Sequence, residues 1–257
     1  MNSTAPNWTS WHSHFCSRRN RPLPETHATT DYRALPASLA RSLAIFQLGE
    51  SGGGTVVQQA RENSAPGAGP RYAAAVDLFV DEEHRHADVL ECCVSLLGGN
   101  LIKENWTARL FRAGRRLMGL RLKILVLLVA EVVGLCYYRL LAQRLPECEV
   151  RSYLLQIVND EKDHLRFHCQ FLQLQCRSRW SRLAFVLAWR SVSTIAAIAV
   201  MLDHHSAIRD MGISRLEIFR RWRALSRYCE CLVVADGVAI ANTRHFTGAS
   251  EPNVVSS

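Results

Sequence analysis

The amino-acid sequence has almost no lysine, no Cys-x-x-Cys pair and few runs in which apolar and polar residues alternate. Lysine occurs only at Lys103, Lys123 and Lys162, so arginine carries nearly all of the formal net charge of +8. We attribute this skew to genome composition and predict that the chain has no nucleic-acid partner. A basic surface still favours an acidic partner, such as a small electron carrier.

Nine cysteines are an odd number, and none of their spacings matches a structural zinc site or a rubredoxin-type iron site. We therefore predict reduced thiols that serve mainly as small apolar side chains. The N-terminal region lacks the apolar run of a secretory signal, so the expected location is the cytoplasm.

Long apolar runs with helical spacing take the place of strands, and 48% of the residues are hydrophobic. This pattern predicts an all-α fold with a sizeable core. The predicted parts are a disordered N-terminal arm (1–34), a unit of four long helices (35–177), additional helices packed on that unit (178–241) and a disordered tail (242–257). After a first helix that follows Pro36, the periodicity predicts helices over about 71–97, 117–145, 149–175, 183–202 and 214–234.

Two short motifs suggest a metal site in the four-helix unit. Glu161 and His164 stand three residues apart, so on a helix they project from one face and can bind the same ion. Glu83 and His86 repeat the spacing in an earlier helix. The other two helices each carry one glutamate in an apolar setting, Glu50 and Glu131.

The positions of these acids along their helices agree with a shared site. Glu50 and Glu83 lie about 13 residues on either side of the first loop, and Glu131 and Glu161 lie about 15 residues from Pro146. At a rise of 1.5 Å per residue, each hairpin places its two acids at one height, about 20 Å from the turn. The connection between the hairpins, about 17 residues, is long enough to cross the unit from end to end.

Glu131 interrupts the strongly apolar run 124–133. An isolated carboxylate in such surroundings shifts its pKa or binds a cation, and a buried metal ion supplies that cation. The alternative is a transmembrane helix with a functional acid. Arg121, Lys123 and Arg139 crowd both ends of the run and disfavour it.

The order Glu50, Glu83-x-x-His86, Glu131, Glu161-x-x-His164 resembles the ferritin-like di-iron carboxylate superfamily, over roughly half of the chain. The resemblance implies a ferritin-like four-helix bundle with one long crossover, to which this chain adds two C-terminal helices. It also implies that Glu83 and Glu161 bridge two metal ions, that Glu50 and Glu131 bind terminally, and that His86 and His164 bind one ion each. It identifies no closer family.

Hard carboxylate oxygens with two imidazoles suit two iron ions, with manganese as the alternative, and leave positions open for dioxygen. The expected activity is that of an O2-activating oxidoreductase, an oxygenase, hydroxylase or oxidase, on an unknown small organic substrate. No nucleotide-binding glycine turn follows a strand, so electrons must come from an external donor. The alternative is an iron-binding ferroxidase or metal-handling protein without an organic substrate. A bundle that binds no metal is a third hypothesis.

Several neighbouring features allow more than one interpretation from the sequence. Asp160 is predicted to orient His86 and Glu82 to orient His164, unless solvent surrounds both acids. His168, four residues after His164, is either an extra ligand or a bystander. The glycine run after Glu50 marks a kink, a bulge or a close approach of substrate. The C-terminal helices either enclose a substrate pocket or contact a membrane peripherally, and a homodimer is compatible with both.

Overall fold

The computed structural model describes residues 6–25, 30–52, 54–63, 65–109, 113 and 118–234. Its regular elements are helical, and the described residues contain no strand, which confirms the all-α class. The helices are α1 (Trp8–Arg18), α2 (Ala37–Glu50), α3 (Gly54–Glu62), α4 (Pro70–Leu96), α5 (Leu120–Arg144), α6 (Glu149–Gln175), α7 (Arg179–Asp203), α8 (His205–Asp210) and α9 (Arg215–Val234), with one 3-10 turn at Tyr32–Ala34.

Prolines and glycines set the ends of the long helices. Pro70 occupies the first turn of α4, where its missing N–H costs no hydrogen bond. Gly98 follows α4 with φ of +68°, and the N–H of Gly99 donates to the carbonyl of Val94 at 2.9 Å. Pro146 excludes a helical continuation of α5 beyond Arg144.

The long helices pack in two sets around a common core. α2 and α3 lie along α4, α5 and α6 form the other closely packed pair, and α4 contacts α6. Leu128 and Leu140 of α5, Phe167 of α6 and Phe79 of α4 belong to the same fully buried cluster. The interior between α4, α5 and α6 is the place where the candidate ligands lie.

The glycine run divides the first predicted helix into two. α2 ends at Glu50, Ser51 and Gly52 are not helical, and α3 begins at Gly54. Glycine in a helix interior costs about 1 kcal/mol relative to alanine, so consecutive glycines favour a break here. Glu50 therefore stands at the last position of a helix and not in the middle of one.

Two helices are long and apolar enough to cross a membrane, and their surroundings differ. The most apolar stretch of α5 is 89% buried inside the protein, whereas that of α7 is 17% buried. Helix α5, which carries Glu131, is therefore a core helix of this fold. Helix α7 exposes an apolar stripe to the outside, formed by Leu183, Leu187, Ile195, Ile198 and Leu202.

The prediction of a disordered arm is wrong for the part of 1–34 that forms α1. The Asn7 side chain caps this helix by accepting a hydrogen bond from the Ser10 N–H at 3.0 Å. Residues 1–5 and 26–29, which belong to the same predicted arm, lie outside the described residues.

Aromatic side chains hold α1 against the body of the protein. The rings of Trp8, Trp11 and Phe15 pack on Phe167 with centroids 5.7, 5.5 and 5.4 Å away, and Trp8 also lies 4.9 Å from Tyr72. Positions 8, 11 and 15 share one helical face. The polar average composition of the segment conceals this face, which explains the incorrect prediction.

The two additional helices predicted within 178–241 correspond to α7 and α9, the short helix α8 between them was not predicted, and all three pack on the main unit. The indole N–H of Trp222 donates to Ser193 at 3.0 Å, and that of Trp189 donates to the Ser226 carbonyl at 3.2 Å, so α7 and α9 are joined side by side. The predicted disordered tail, 242–257, lies outside the described residues.

Candidate metal centre

Helices α4 and α6 bring both Glu-x-x-His motifs to one buried place. One potential ligand atom from each of Glu83, His86, Glu161 and His164 lies within 4.8 Å of the others. The two imidazole centroids are 5.4 Å apart. This cluster of carboxylates and imidazoles could hold a metal ion, as the spacing within each motif predicts.

Glu131 and Glu50 complete the cluster from α5 and α2. Glu131 is 3% exposed, and its Oε2 lies 3.5 Å from Nδ1 of His164. Glu50 accepts a hydrogen bond from the Tyr138 hydroxyl at 3.0 Å, and its carboxyl group interacts with that of Glu83. The structure therefore brings all six candidate ligands together, from four different helices.

Several potential metal-ligand atoms in this cluster have no hydrogen-bond partner among the described residues. They are Nδ1 of His86, Nδ1 of His164, Oε1 of Glu83 and Oε2 of Glu161. Nδ1 of His164 approaches Oε1 of Glu83 to 2.9 Å, but not in hydrogen-bonding geometry. Buried polar atoms without partners are costly. Unpartnered lone pairs that converge on one point fit a bound cation.

A carboxylate contacts Nε2 of each imidazole, on the ring edge that faces away from the cluster. Nε2 of His86 lies 3.3 Å from Asp160, and Nε2 of His164 lies 2.9 Å from Glu82. An ionised carboxylate can only accept a hydrogen bond, so each Nε2 carries a proton, and loss of the second ring proton would leave the lone pair of each Nδ1 to bind a metal ion. The structure thus has both contacts that the sequence predicts for Asp160 and Glu82.

Three arginines cover these two outer carboxylates. Arg18 of α1 contacts both of them, with Nε 3.2 Å from Glu82. Arg85 also contacts both, at 2.7 Å from Asp160 and 3.0 Å from Glu82, and Arg21 contacts Asp160. The cations keep both acids ionised although they are buried, and an ionised acid is what each histidine requires.

The outer carboxylates accordingly have low pKa values. Burial alone would raise the pKa of Glu82, but the hydrogen bond and charge of His164 and the charge of Arg18 lower it to about 2. For Asp160, His86, Arg18 and Arg21 outweigh burial in the same way and hold its pKa below the usual range.

Glu50 and Glu161, in contrast, have raised pKa values. Burial, followed by the charge of neighbouring acids, raises the pKa of Glu50, and burial together with Glu131 raises the pKa of Glu161 to about 7. Burial opposes charge on His86, yet the hydrogen bond to Asp160 and the neighbouring carboxylate of Glu161 raise its pKa to about 9. Without a cation the inner cluster therefore retains protons, which a metal ion would displace.

Some residues at the site carry no motif in the sequence. Tyr138 follows Glu131 by seven residues, two turns along the same face of α5, so helical periodicity was an available signal for it. Phe15 and Phe79 pack against the His164 ring with centroids 5.9 and 4.8 Å away. Arg18 carries no recognisable motif, because tertiary packing alone brings α1 to the site.

His168 and His204 lie at the margin of the site. His168 is fully buried with Nε2 3.4 Å from Glu131, and burial lowers its pKa to about 3, so its ring is neutral. It is not part of the tight group of four side chains. His204 lies outside the cluster and bonds Ser42 at 2.8 Å.

An apolar cavity of about 310 Å³ borders the cluster on the side of Glu50 and Glu83. Its wall comes from α2, α4, α5 and α7 and from the residues near the glycine break, and it includes no residue of α6. A cavity of this size is within the range of small-molecule sites, about 300–1,000 Å³.

The chain matches no protein-family model, no curated protein and no solved structure. Its site is therefore interpreted from its own side chains.

Replacing Arg18 by alanine should lower the free energy of unfolding by about 2–3 kcal/mol. Breaking a buried ion pair typically costs about 3–5 kcal/mol, but Arg21 and Arg85 would still contact Asp160 and reduce the loss. Urea denaturation of the metal-free protein, followed by circular dichroism, measures this difference.

Arg19→Ala is the matched control for this variant. Arg19 neighbours Arg18, but its side chain is 63% exposed and pairs with the exposed Asp81, so its loss should cost less than about 1 kcal/mol. Equal destabilisation by the two substitutions would contradict the docking of α1 over the outer carboxylates.

Proposed function

We propose that this chain is a ferritin-like di-iron carboxylate protein that activates dioxygen to oxidise an organic substrate. The single observation that carries the proposal is the convergence of six candidate ligands from four helices, with unpartnered donor atoms facing one another. The antiparallel α5–α6 pair, the pairing of α2 with α4 and the long segment between α4 and α5 are compatible with the proposed bundle.

The contacts of each acid support specific roles. Oε1 of Glu83 lies 2.9 Å from His164 and 3.7 Å from His86, and Glu161 lies 3.3 Å from His86 and 3.7 Å from His164. Because each of these acids reaches both imidazoles, we assign them as the bridging ligands. Glu131 approaches His164, which suits a terminal ligand, and Glu50 is assigned the other terminal position.

This donor set of hard oxygens and imidazoles fits Fe(II), with Mn(II) as the alternative. Two such ions supply reductive activation of dioxygen, with further electrons from an external donor. The protein's own groups orient and protect the site. Asp160 and Glu82 fix the histidine rings, Phe15 and Phe79 exclude water from His164, and the Tyr138 hydroxyl orients the Glu50 carboxylate.

The cavity beside Glu50 favours an oxidase or oxygenase over a metal-handling protein. A ferroxidase needs a path for ions, which polar and acidic side chains provide. The wall of this cavity is predominantly apolar, with Glu50 and Glu83 as its charged residues. Such a wall accommodates an organic substrate next to the proposed ions.

Anaerobic titration of the full chain with Fe(II) tests the proposal. Binding should saturate at about two ions per chain, as in other di-iron bundles. Admission of dioxygen should then consume oxygen and produce new near-ultraviolet absorption. Elemental analysis gives the metal content, and an oxygen electrode and a stopped-flow spectrometer follow the reaction.

Glu161→Ala should abolish metal binding because it removes a bridging carboxylate. Glu147→Ala is the control, since that carboxylate is exposed at the loop before α6. Bound iron without oxygen consumption would reject the proposed activity. Accumulation of many irons per chain would indicate metal storage instead.

Asp160→Asn should weaken Fe(II) binding about 10- to 100-fold, because an amide holds the His86 ring in its ligating orientation less firmly. Asp163→Asn is the matched control. Asp163 lies on the same helix and contacts Arg18 and His14, but it touches neither candidate histidine ligand. Equal affinities of the two variants, measured by competition with a chromophoric chelator, would contradict the role given to Asp160.

A further inference from the structure

The cavity wall offers a ligand almost no free hydrogen-bonding group. Apart from Glu50 and Glu83, its polar side chains are Thr107 and His204. The Thr107 hydroxyl donates to Asp203, and His204 bonds Ser42 and stacks on Phe46 with centroids 4.6 Å apart. A polar substrate would lose its hydration here without compensation.

The composition of the wall points to an aliphatic molecule. Aliphatic side chains of α5 and α7 form nearly half of it, among them Val126, Val133, Val192 and Ala199. The wall includes Ile195 of α7, which is 62% exposed, as well as Glu50. The cavity therefore borders both the outer surface of α7 and the proposed metal centre.

We infer that this cavity binds an aliphatic hydrocarbon chain, which it presents to the metal centre through the gap beside Glu50. Oxidation of the bound hydrocarbon rests on the proposed function, whereas binding of the hydrocarbon requires no metal. Burial of the chain against the aliphatic wall supplies the affinity. Any polar head group of the ligand remains near Ile195, outside the apolar part.

Fluorescence titration with the polyene fatty acid cis-parinaric acid tests this inference. The full chain should enhance the fluorescence of the probe, and palmitic acid should displace it whereas butyric acid should not. Ala199→Phe fills the cavity and should weaken binding by at least about tenfold, by steric exclusion of the chain.

Ala184→Phe is the matched control, since Ala184 lies on the same helix but is exposed and outside the cavity. Circular dichroism and thermal melting verify folding, and Ala199→Leu replaces the larger variant if Ala199→Phe does not fold. Absence of probe binding by the parent chain, or equal binding by the cavity-filling and control variants, would overturn the inference.

Iron titration of the same preparations separates this inference from the proposed function. Probe binding that is sensitive to Ala199→Phe, in a chain that binds no iron, would support the cavity assignment and reject the di-iron proposal. Iron binding and oxygen consumption without probe binding would support the di-iron proposal and reject an aliphatic ligand.

The surface around the cavity mouth carries a second, independent feature. The exposed stripe of α7 spans about 29 Å, from Leu183 to Leu202, and is apolar except for Ser191 and Thr194 near its middle. An Arg190–Glu230 ion pair at 2.7 Å joins α7 to α9 at the surface. By helical spacing, Leu216, Phe219, Arg220, Arg223 and Arg227 share one face of α9, and all five are exposed.

The geometry points to an anionic lipid bilayer as the partner of this surface. The apolar stripe would enter the interface while the α9 arginines contact lipid phosphates. Among the described residues, no ion pair joins Arg220, Arg223 or Arg227 to a carboxylate. A second copy of the chain that paired α9 with α9 on this surface would bring two sets of these cations together, which is unfavourable.

Flotation with vesicles tests this surface. The full chain should float with vesicles of phosphatidylglycerol and phosphatidylcholine, more weakly with pure phosphatidylcholine, and more weakly at high salt. Leu187→Asp combined with Ile198→Asp should reduce flotation about tenfold. Leu101→Asp combined with Leu122→Asp, at exposed apolar positions outside the stripe, should leave it unchanged.

Light scattering after gel filtration distinguishes a membrane partner from a second copy of the chain. A lipid-free dimer that the α7 double substitution dissociates would assign the stripe to a second copy and overturn the membrane inference. Failure of the parent chain to float would overturn it as well.

Discussion

Buried carboxylates repel one another, and the interior of this protein is arranged around relieving that repulsion. The outer pair, Asp160 and Glu82, is neutralised by Arg18, Arg21 and Arg85. The inner group contains Glu50, Glu83, Glu131 and Glu161 and has only the two imidazoles beside it. In a metal-bound site each ring would be neutral, with its Nε2–H directed at an outer acid, and would add no positive charge to the inner group. Four ionised carboxylates require four positive charges, which is the charge of two divalent cations. In their absence protons must take that place, as the raised pKa values of Glu50 and Glu161 indicate.

Much of this centre could be predicted from the sequence because the α-helix has a fixed periodicity and a fixed rise per residue. A spacing of three residues fixes which side chains share a face, and the rise per residue fixes the height of each acid relative to its turn. Those two regularities were enough to place Glu83 near His86 and Glu131 near Glu161. They also predicted that Asp160, one residue before Glu161, faces the other histidine motif. Periodicity placed α4, α5 and α6 to within a few residues, since proline and glycine mark their ends.

The features that the sequence did not predict depend on tertiary contacts. Arg18 reaches the outer carboxylates because Trp8, Trp11 and Phe15 dock α1 on Phe167, and no local signal in a polar segment specifies that partner. The exposure of α7 and the burial of α5 also depend on tertiary contacts. Composition does not distinguish the two helices, because both are long and apolar enough to cross a membrane. The break after Glu50 was signalled by glycines, but whether they produce a kink or a separate helix depends on what α3 packs against.

The two sides of the centre have different chemistry, and this difference explains why the ligand motif carries no information about the substrate. On the side of α1 and α6, charged pairs and aromatic rings close the site. On the side of α2 and α7, the wall is apolar and reaches the surface. That wall includes residues close to the candidate ligands in the sequence: Gly49 directly before Glu50, Ala130 directly before Glu131, and Val80 one helical turn before Glu83. Substitutions at such neighbours change the shape of the cavity while every ligand stays in place. Under the proposed function, the candidate ligands would therefore fix the class of chemistry, whereas their neighbours would determine which molecule reaches it.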